Sequence, residues 1–264
     1  MKFQIDHDLH IHSKLSSCSN HPEQTTENIL KYATQNGLKH ICLTDHFWDS
    51  DVPGASDWYR SQNYDHITKA LPLPQADGIR FDFGCEADFS RDLNLTATRQ
   101  TIDRLDFVIV ATSHLHMAGY TIDESIKHVA DRARVYMQHN HALLDMDLPF
   151  HKMGLAHFTC TLLSWDGIGT NDELLYSITD SEYAELFERV AASGMGVELN
   201  MSAAEASNEA NLRIYRIARE RGCKFYLGSD AHTPTELSRA MTNFRAIVDA
   251  LDLTEDDKHP FIAR

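Results

Sequence analysis

Histidine and carboxylate side chains follow the short apolar segments of this chain, and these side-chain types hold catalytic divalent metals in proteins. The residues that show this pattern are His10, His12, Asp45, His46, Glu86, His114, His157, Asp230 and His232. Because the carboxyl ends of successive parallel strands meet at one face of a barrel, residues at those ends converge. The pattern therefore predicts a metal site with more than one ion.

His10 and His12 form the first pair. Side chains alternate across a strand with a period of two, so both imidazoles lie on the same side of an extended backbone and could bind one ion. In a chain with 16 histidines, such a pair can also arise from composition alone. Its position at the end of a strand-like segment favours the metal site.

Two further motifs, Asp45-His46 and Asp230-Ala231-His232, each place a carboxylate beside an imidazole after an apolar segment. Gly228, shortly before Asp230, allows a close approach of the backbone. A carboxylate in such a position either binds the metal or orients a histidine that does. We expect Asp230 to bind directly and Asp45 to orient a ligating histidine.

Glu86 follows the apolar segment 81–85. Each of its two oxygens could bind a different cation, so that Glu86 would bridge two ions; the alternative is a structural salt bridge. His114 and His157 would complete the ligand set of the second ion. His116 is a rival to His114, whereas His157 has no such rival.

Strand-like and helix-like segments alternate along the chain and would position these side chains. Seven strands are predicted, at residues 3–9, 40–44, 80–85, 107–111, 153–156, 196–199 and 224–227. Helices are predicted near residues 25–37, 66–71, 123–139, 181–193 and 208–221 and after Pro234, and the long segment 47–77 is predicted to be a lid or substrate loop. The alternation predicts an α/β fold, a distorted TIM-like (β/α)7 barrel that forms one domain over residues 1–264.

Composition limits the classes of partner. The formal net charge is −15, from 24 basic and 39 acidic residues, which argues against long nucleic acid and anionic membranes. Bound metal cations would still allow an anionic substrate. The five cysteines include no C-x-x-C pair, and neither a signal-like apolar region nor a run of 18 apolar residues occurs. We therefore expect a soluble cytoplasmic protein with reduced thiols.

Taken as a set, the motifs resemble those of the PHP family, the domain shared by bacterial histidinol phosphatases and certain DNA polymerases. The resemblance covers nearly the whole chain, and it rests on His10-Ile11-His12, Thr44-Asp45-His46, Glu86, His114, His157 and Asp230-Ala231-His232. It implies a distorted (β/α)7 barrel that holds two or three divalent ions of zinc, manganese or iron.

The resemblance also implies how the ligands are shared among these ions. The first ion would take His10, His12, Glu86 and Asp230, the second Glu86, His114 and His157, and the third His46 and His232. The chain departs from the family at Cys18, where the three-metal phosphatases usually carry a histidine. A cysteine thiolate is a competent zinc ligand, so Cys18 could replace that imidazole. The alternatives are that His21 takes the place or that the third site is weak.

The function implied is hydrolysis of a small phosphomonoester, with histidinol phosphatase as the best named activity. Two cations bridged by Glu86 would lower the pKa of a bound water and so supply the attacking hydroxide. Asp45, His46 and His232 are the expected catalytic residues, and either histidine could assist the leaving oxygen. The expected partner is a small phosphorylated substrate, and the oligomeric state stays open.

Three other functions would also use parts of this pattern. An amidohydrolase-type enzyme also opens with H-x-H on a barrel, but it usually has a lysine at the middle strand where this chain has Glu86. A non-catalytic metal-binding module is disfavoured because nearly all the ligands are present. A phosphodiesterase that acts on a small or cyclic nucleotide stays open.

Overall fold

A computed structural model describes residues 1–19 and 21–263. The strands of this part of the chain are His7–Ile11 (β1), His40–Leu43 (β2), His46–Phe47 (β3), Arg80–Phe83 (β4), Cys85–Asp88 (β5), Val108–Ala111 (β6), Met153–Leu155 (β7), Gly196–Leu199 (β8) and Lys224–Leu227 (β9). The α-helices are Thr26–Asn36 (α1), Asp57–Arg60 (α2), Tyr64–Ile67 (α3), Arg99–Arg104 (α4), Val129–Leu144 (α5), Asn171–Ser177 (α6), Asp180–Ser193 (α7), Glu209–Glu220 (α8) and Pro234–Ala250 (α9).

The strands pair in parallel in the orders β1-β2-β4 and β3-β5-β6-β7-β8-β9. Only Thr44 and Asp45 separate β2 from β3, and only Gly84 separates β4 from β5, so each pair is one interrupted strand. A parallel bridge between Ile11 and Ala231 brings the segment that follows β9 back to β1. The result is a ring of seven strands, the distorted (β/α)7 barrel that the sequence predicts.

The first strand begins later than predicted. The prediction placed it at residues 3–9, whereas β1 starts four residues further along. The residues before it pair with the carboxyl-terminal segment instead: Lys2 forms an antiparallel bridge with Thr254, and Phe3 N donates to Leu253 O at 3.1 Å. Consequently His10 lies inside the strand and His12 directly after it.

The helix predicted at residues 123–139 also begins later, at Val129. Asp123 does not start a helix, because its side chain accepts from Ser125 N at 2.8 Å and its carbonyl from Ile126 N at 3.1 Å, which closes a turn. The sequence does not predict α2, α4 or α6, which have four to seven residues. Such helices are too short for a helical period to be recognised.

The barrel interior holds a small apolar cluster, separate from the larger core between the strands and the helices. Its members are Leu9, Cys42, Phe107, Ile109, Ala111, Ala156, Tyr226 and Phe261. Tyr226 fits because two neighbouring strands carry glycine beside it: a Cβ at Gly154 would lie 2.3 Å from the tyrosine ring and one at Gly196 2.9 Å. The interior is therefore filled by side chains, as in other small barrels.

The segment 254–263 closes the amino-terminal end of the barrel. Lys258 forms a parallel bridge with Phe225, and the ring of Phe261 packs 4.7 Å from the ring of Phe107. The carboxyl-terminal end of the strands is left to the side chains described next. None of the described helices is long and apolar enough to cross a membrane.

Candidate metal centre

The side chains predicted from the motifs meet at the carboxyl-terminal end of the barrel. Three groups form there, in each of which every residue offers one ligand atom within 4.8 Å of the others. The groups are His10, His12, Glu86 and Asp230; Glu86, His114 and His157; and His12, His46 and His232. Their members are those named in the three expected ligand sets, except that the third group contains His12 and does not contain Cys18; that these residues bind metal stays a prediction.

Glu86 lies at the centre of these groups. Unlike the prediction, which placed it after a strand, it lies within β5, and its side chain is fully buried. One oxygen, Oε1, is 2.8 Å from His157 Nε2 and 3.7 Å from His114 Nε2. The other, Oε2, is 2.8 Å from His46 Nδ1 and 3.4 Å from His12 Nε2. Imidazoles therefore surround both oxygens, which fits a carboxylate that bridges two cations.

His10, His12 and Asp230 form a tight triangle beside Glu86. The two Nε2 atoms are 3.0 Å apart, and Asp230 Oδ1 lies 3.2 Å from that of His10 and 3.0 Å from that of His12. Ligand atoms bonded at about 2.0–2.2 Å to one ion lie roughly 3 Å from each other. The triangle has the dimensions of such a ligand set.

Polar atoms without partners show that the donor set fits a cation. Glu86 Oε2, His46 Nδ1 and Asp230 Oδ1 are buried, and none has a hydrogen-bond partner among the residues that the structure describes. The first two atoms are only 2.8 Å apart, but their orientation is not that of a hydrogen bond. Buried polar atoms almost always have partners. These atoms could bind a divalent cation, which would supply the partner that each one lacks.

Electrostatics keep both carboxylates ionised. Burial raises the pKa of Glu86, but the imidazoles of His46 and His10 outweigh burial and hold that pKa well below its usual range. Asp230 behaves in the same way: burial raises its pKa, whereas His10 and His232 bring it far below the ordinary value. Deprotonated carboxylates are the form that binds metals.

Outer partners orient four of the histidines, and the sequence motifs do not predict these partners. The Nδ1 contacts are His10 with Glu198 Oε1 at 2.7 Å, His114 with Asp88 Oδ1 at 2.7 Å, His157 with Ser113 Oγ at 2.7 Å and His12 with Ser16 Oγ at 2.9 Å. Each contact fixes the ring and leaves Nε2 free to bind a metal. The one available signal was a carboxylate inside an otherwise apolar strand, at Glu198.

Asp45 acts through Ser16 on His12. Its buried carboxylate accepts from Ser13 N, Ser13 Oγ and Ser16 Oγ, each at 2.7 Å. Ser16 Oγ in turn faces His12 Nδ1 at 2.9 Å and accepts from His46 N at 3.1 Å. This geometry agrees with the expected orienting role of Asp45; its predicted catalytic role stays a prediction.

Two candidate ligands have backbones in an uncommon conformation. His157 has a φ of 24° and Asp230 a φ of 52°, a region that residues other than glycine rarely adopt. Such strain clusters at active sites, where the surrounding structure enforces it. Both side chains belong to the groups at the carboxyl-terminal end of the barrel.

Cys18, rather than His21, lies beside the third group. Cys18 lines the same cleft as His46 and His232, although its Sγ belongs to none of the three groups found among the described residues. Burial raises the pKa of the Cys18 thiol, but contacts with the His232 and His46 rings outweigh burial and lower it. His21 is exposed, and its Nδ1 accepts from Glu23 N at 3.3 Å.

His114, rather than its rival His116, belongs to the group around Glu86. The two rings are 5.4 Å apart and nearly perpendicular, and His116 lines the cleft from its wall. His114, three residues after the end of β6, is therefore the candidate ligand.

A cleft of about 230 Å³ opens above the three groups. It is lined by Cys18, His46, Trp58, Tyr59, His114, His116, Met117, Leu162, Asp230 and His232. Trp58 is 40% exposed, and its ring meets the ring of His46 edge-on at 5.2 Å, whereas Trp48 is buried and packs against Tyr59. The aromatic part of segment 47–77 thus forms one wall of the cleft.

Comparisons with known proteins agree with this geometry. The family model described as the PHP domain matches residues 8–202, and the model described as PHP-associated matches residues 208–256. The chain is 26% identical to a probable phosphatase of Caldicellulosiruptor saccharolyticus over 84% of this chain and 79% of that protein. It is also 26% identical to a probable histidinol-phosphatase of Deinococcus radiodurans, with 87% of each chain covered.

Among solved structures, the histidinol phosphate phosphatase of Lactococcus lactis matches with a TM-score of 0.59 and 20% identity over 93% of each chain. That protein was crystallised with zinc, L-histidinol and phosphate. At this identity the match shows a shared fold.

Proposed function

The chain belongs to the PHP domain family, and we propose that it hydrolyses a small phosphomonoester, with histidinol phosphate as the leading candidate. It is a metal-dependent phosphoesterase. The observation that carries the proposed metal-dependent hydrolysis is the central carboxylate, Glu86, whose two oxygens face different groups of imidazoles. The names of the phosphatase relatives and the small volume of the cleft support it.

We assign two or three divalent ions of zinc, manganese or iron to the three groups. When bound, such ions lower the pKa of a bound water and neutralise phosphoryl oxygens. His46 and His232 line the cleft, where an imidazole that binds no metal can give a proton to the leaving oxygen. Trp58 and Leu162 form apolar parts of the wall and restrict the access of water.

The test compares three substrates on protein purified without chelator: p-nitrophenyl phosphate, histidinol phosphate and bis(p-nitrophenyl) phosphate. We expect turnover of both monoesters, a higher kcat/KM for histidinol phosphate, loss of turnover with chelator, and recovery with zinc or manganese. Turnover that survives removal of the metal contradicts the proposal. A higher kcat/KM for the diester would instead indicate that the protein is a phosphodiesterase.

Cys18 is expected to complete the third group as a thiolate ligand. Cobalt-loaded protein should then show a thiolate-to-cobalt charge-transfer band in the near ultraviolet, because cobalt takes up the geometry of zinc sites and reports its sulfur ligands. The Cys18→Ser variant should lose this band. Cys160→Ser is the matched control, since Cys160 Sγ lies 3.6 Å from Nδ1 of His157, another candidate ligand. A band that persists in Cys18→Ser, or that Cys160→Ser removes, contradicts this ligand.

A further inference from the structure

Glu198 is a fully buried carboxylate that contacts candidate ligands of two different ions. Its Oε1 accepts from His10 Nδ1 at 2.7 Å, and its Oε2 accepts from the backbone N–H of His157. His10 belongs to the group with Asp230, and His157 to the group with His114. One side chain thus connects two groups that the sequence separates widely.

The strand explains why Glu198 points at the site. In β8 the flanking residues Val197 and Leu199 belong to the outer core, so the alternation of side chains turns Glu198 into the barrel. A buried charge costs free energy unless it is hydrogen-bonded. Space for it depends on Gly228, where a Cβ would lie 1.8 Å from Glu198 Oε1 and 2.7 Å from His10 Cβ.

The two contacts act on different parts of their partners. The contact with His10 fixes the ring, so that Nε2 faces Asp230 Oδ1 at 3.2 Å. The contact with His157 fixes the backbone of a residue whose φ is 24°, and this backbone aims the ring at Glu86 Oε1, 2.8 Å away. Among the residues that the structure describes, no other acceptor contacts that N–H.

We propose that Glu198 is a positioning residue that couples the first and second ion sites, because it fixes the ring of His10 with one oxygen and the backbone of His157 with the other. The proposal rests on the proposed function only in that both groups hold ions. It sets Glu198 apart from Ser113, which contacts the ring of His157. Loss of Glu198 should weaken the binding of both ions, whereas loss of Ser113 should weaken the binding of the second ion alone.

The experiment measures metal retention by the holoenzyme. Protein loaded with zinc is equilibrated with a graded series of a competing chelator, and the zinc left per chain is counted by elemental analysis. In Glu198→Gln the chelator concentration that removes half of each of the two ions should fall about 10- to 100-fold, the usual effect of removing a partner of a ligating histidine. In Ser113→Ala only one ion should be lost more easily.

Asp82→Asn is the matched control. Asp82 is a buried carboxylate whose Oδ2 lies 2.9 Å from His40 Nε2, at the opposite end of the barrel. Its loss should lower the melting temperature and leave both chelator midpoints unchanged. Should Glu198→Gln fail to fold, Glu198→Asp, which keeps the charge but is one methylene shorter, is measured in the same way.

Retention of both ions by Glu198→Gln over the wild-type chelator range, with a lower melting temperature as in Asp82→Asn, would overturn the proposal and make Glu198 purely structural. A lower chelator midpoint for one ion only would also overturn the proposed coupling. Wild-type protein that holds zinc but hydrolyses no phosphomonoester contradicts the proposed function, while this test keeps its meaning because its readout is bound metal.

Discussion

Replacing Glu86 with glutamine is expected to lower kcat for p-nitrophenyl phosphate by about 10³-fold, or about 4 kcal/mol, and to release at least one metal ion per chain. Glutamine keeps the shape but replaces one carboxylate oxygen with an NH2 group, which cannot bind a cation. Both oxygens are needed, since Oε1 lies 2.8 Å from His157 Nε2 and Oε2 2.8 Å from His46 Nδ1. Steady-state kinetics and elemental analysis on the same preparation measure the two effects.

Glu188→Gln is the control for this substitution. Glu188 is exposed on α7 and pairs with Arg221 at 2.7 Å, so the same chemical change should leave rate and metal content as in the wild type. The bridging role of Glu86 is wrong if Glu86→Gln keeps its full metal content and its kcat stays within about threefold of the wild-type value, roughly 0.7 kcal/mol.

Asp230→Asn is expected to lower kcat/KM by about 10²-fold and to weaken the binding of the first ion. Asparagine adopts the same left-handed backbone readily, so the φ of 52° should survive and the change is one of charge. Asp230 Oδ1 lies 3.0 Å from His12 Nε2 and 3.2 Å from His10 Nε2. Elemental analysis after gel filtration, together with kinetics, measures both consequences.

Asp252→Asn matches this change away from the site. Asp252 also has a positive φ, of 48°, and lies exposed just after α9. The same substitution there should alter neither metal content nor kcat/KM. If both variants behave alike, direct binding of a metal by Asp230 is wrong.

The candidate ligands could be predicted because each lies in an apolar strand or within a few residues after one, and the type of residue carries the chemistry. Their outer partners could not be predicted. His10 and Glu198 are separated by 188 residues, and only the register of strands around the barrel brings them together. The sequence predicts Glu86 just after a strand, whereas it lies within β5, because the strand is interrupted at Gly84 and resumes at Cys85. A side chain at Gly84 is excluded by Phe107 O, which would lie 2.2 Å from a Cβ there, and this contact is also distant in sequence.

The choice between Cys18 and His21 likewise depended on long-range contacts. Ser17 N donates to Gln62 Oε1 at 2.8 Å, and Ser19 Oγ donates to His232 O at 2.6 Å. These bonds hold the loop so that Cys18 faces the cleft. Neither partner is near the loop in sequence, so no local pattern could indicate which of the two side chains turns inward.

The closure of the ring between β1 and β9 determines when the site can form during synthesis of the chain. Leu227 N donates to His7 Nε2 across 220 residues, and Asp230 N donates to His10 O at 2.8 Å. Pairing between such distant strands is slow to form. A nascent chain that has not yet released its last strand from the ribosome contains His10 without Asp230. The complete first ligand set therefore forms only after the segment that follows β9 has paired with β1.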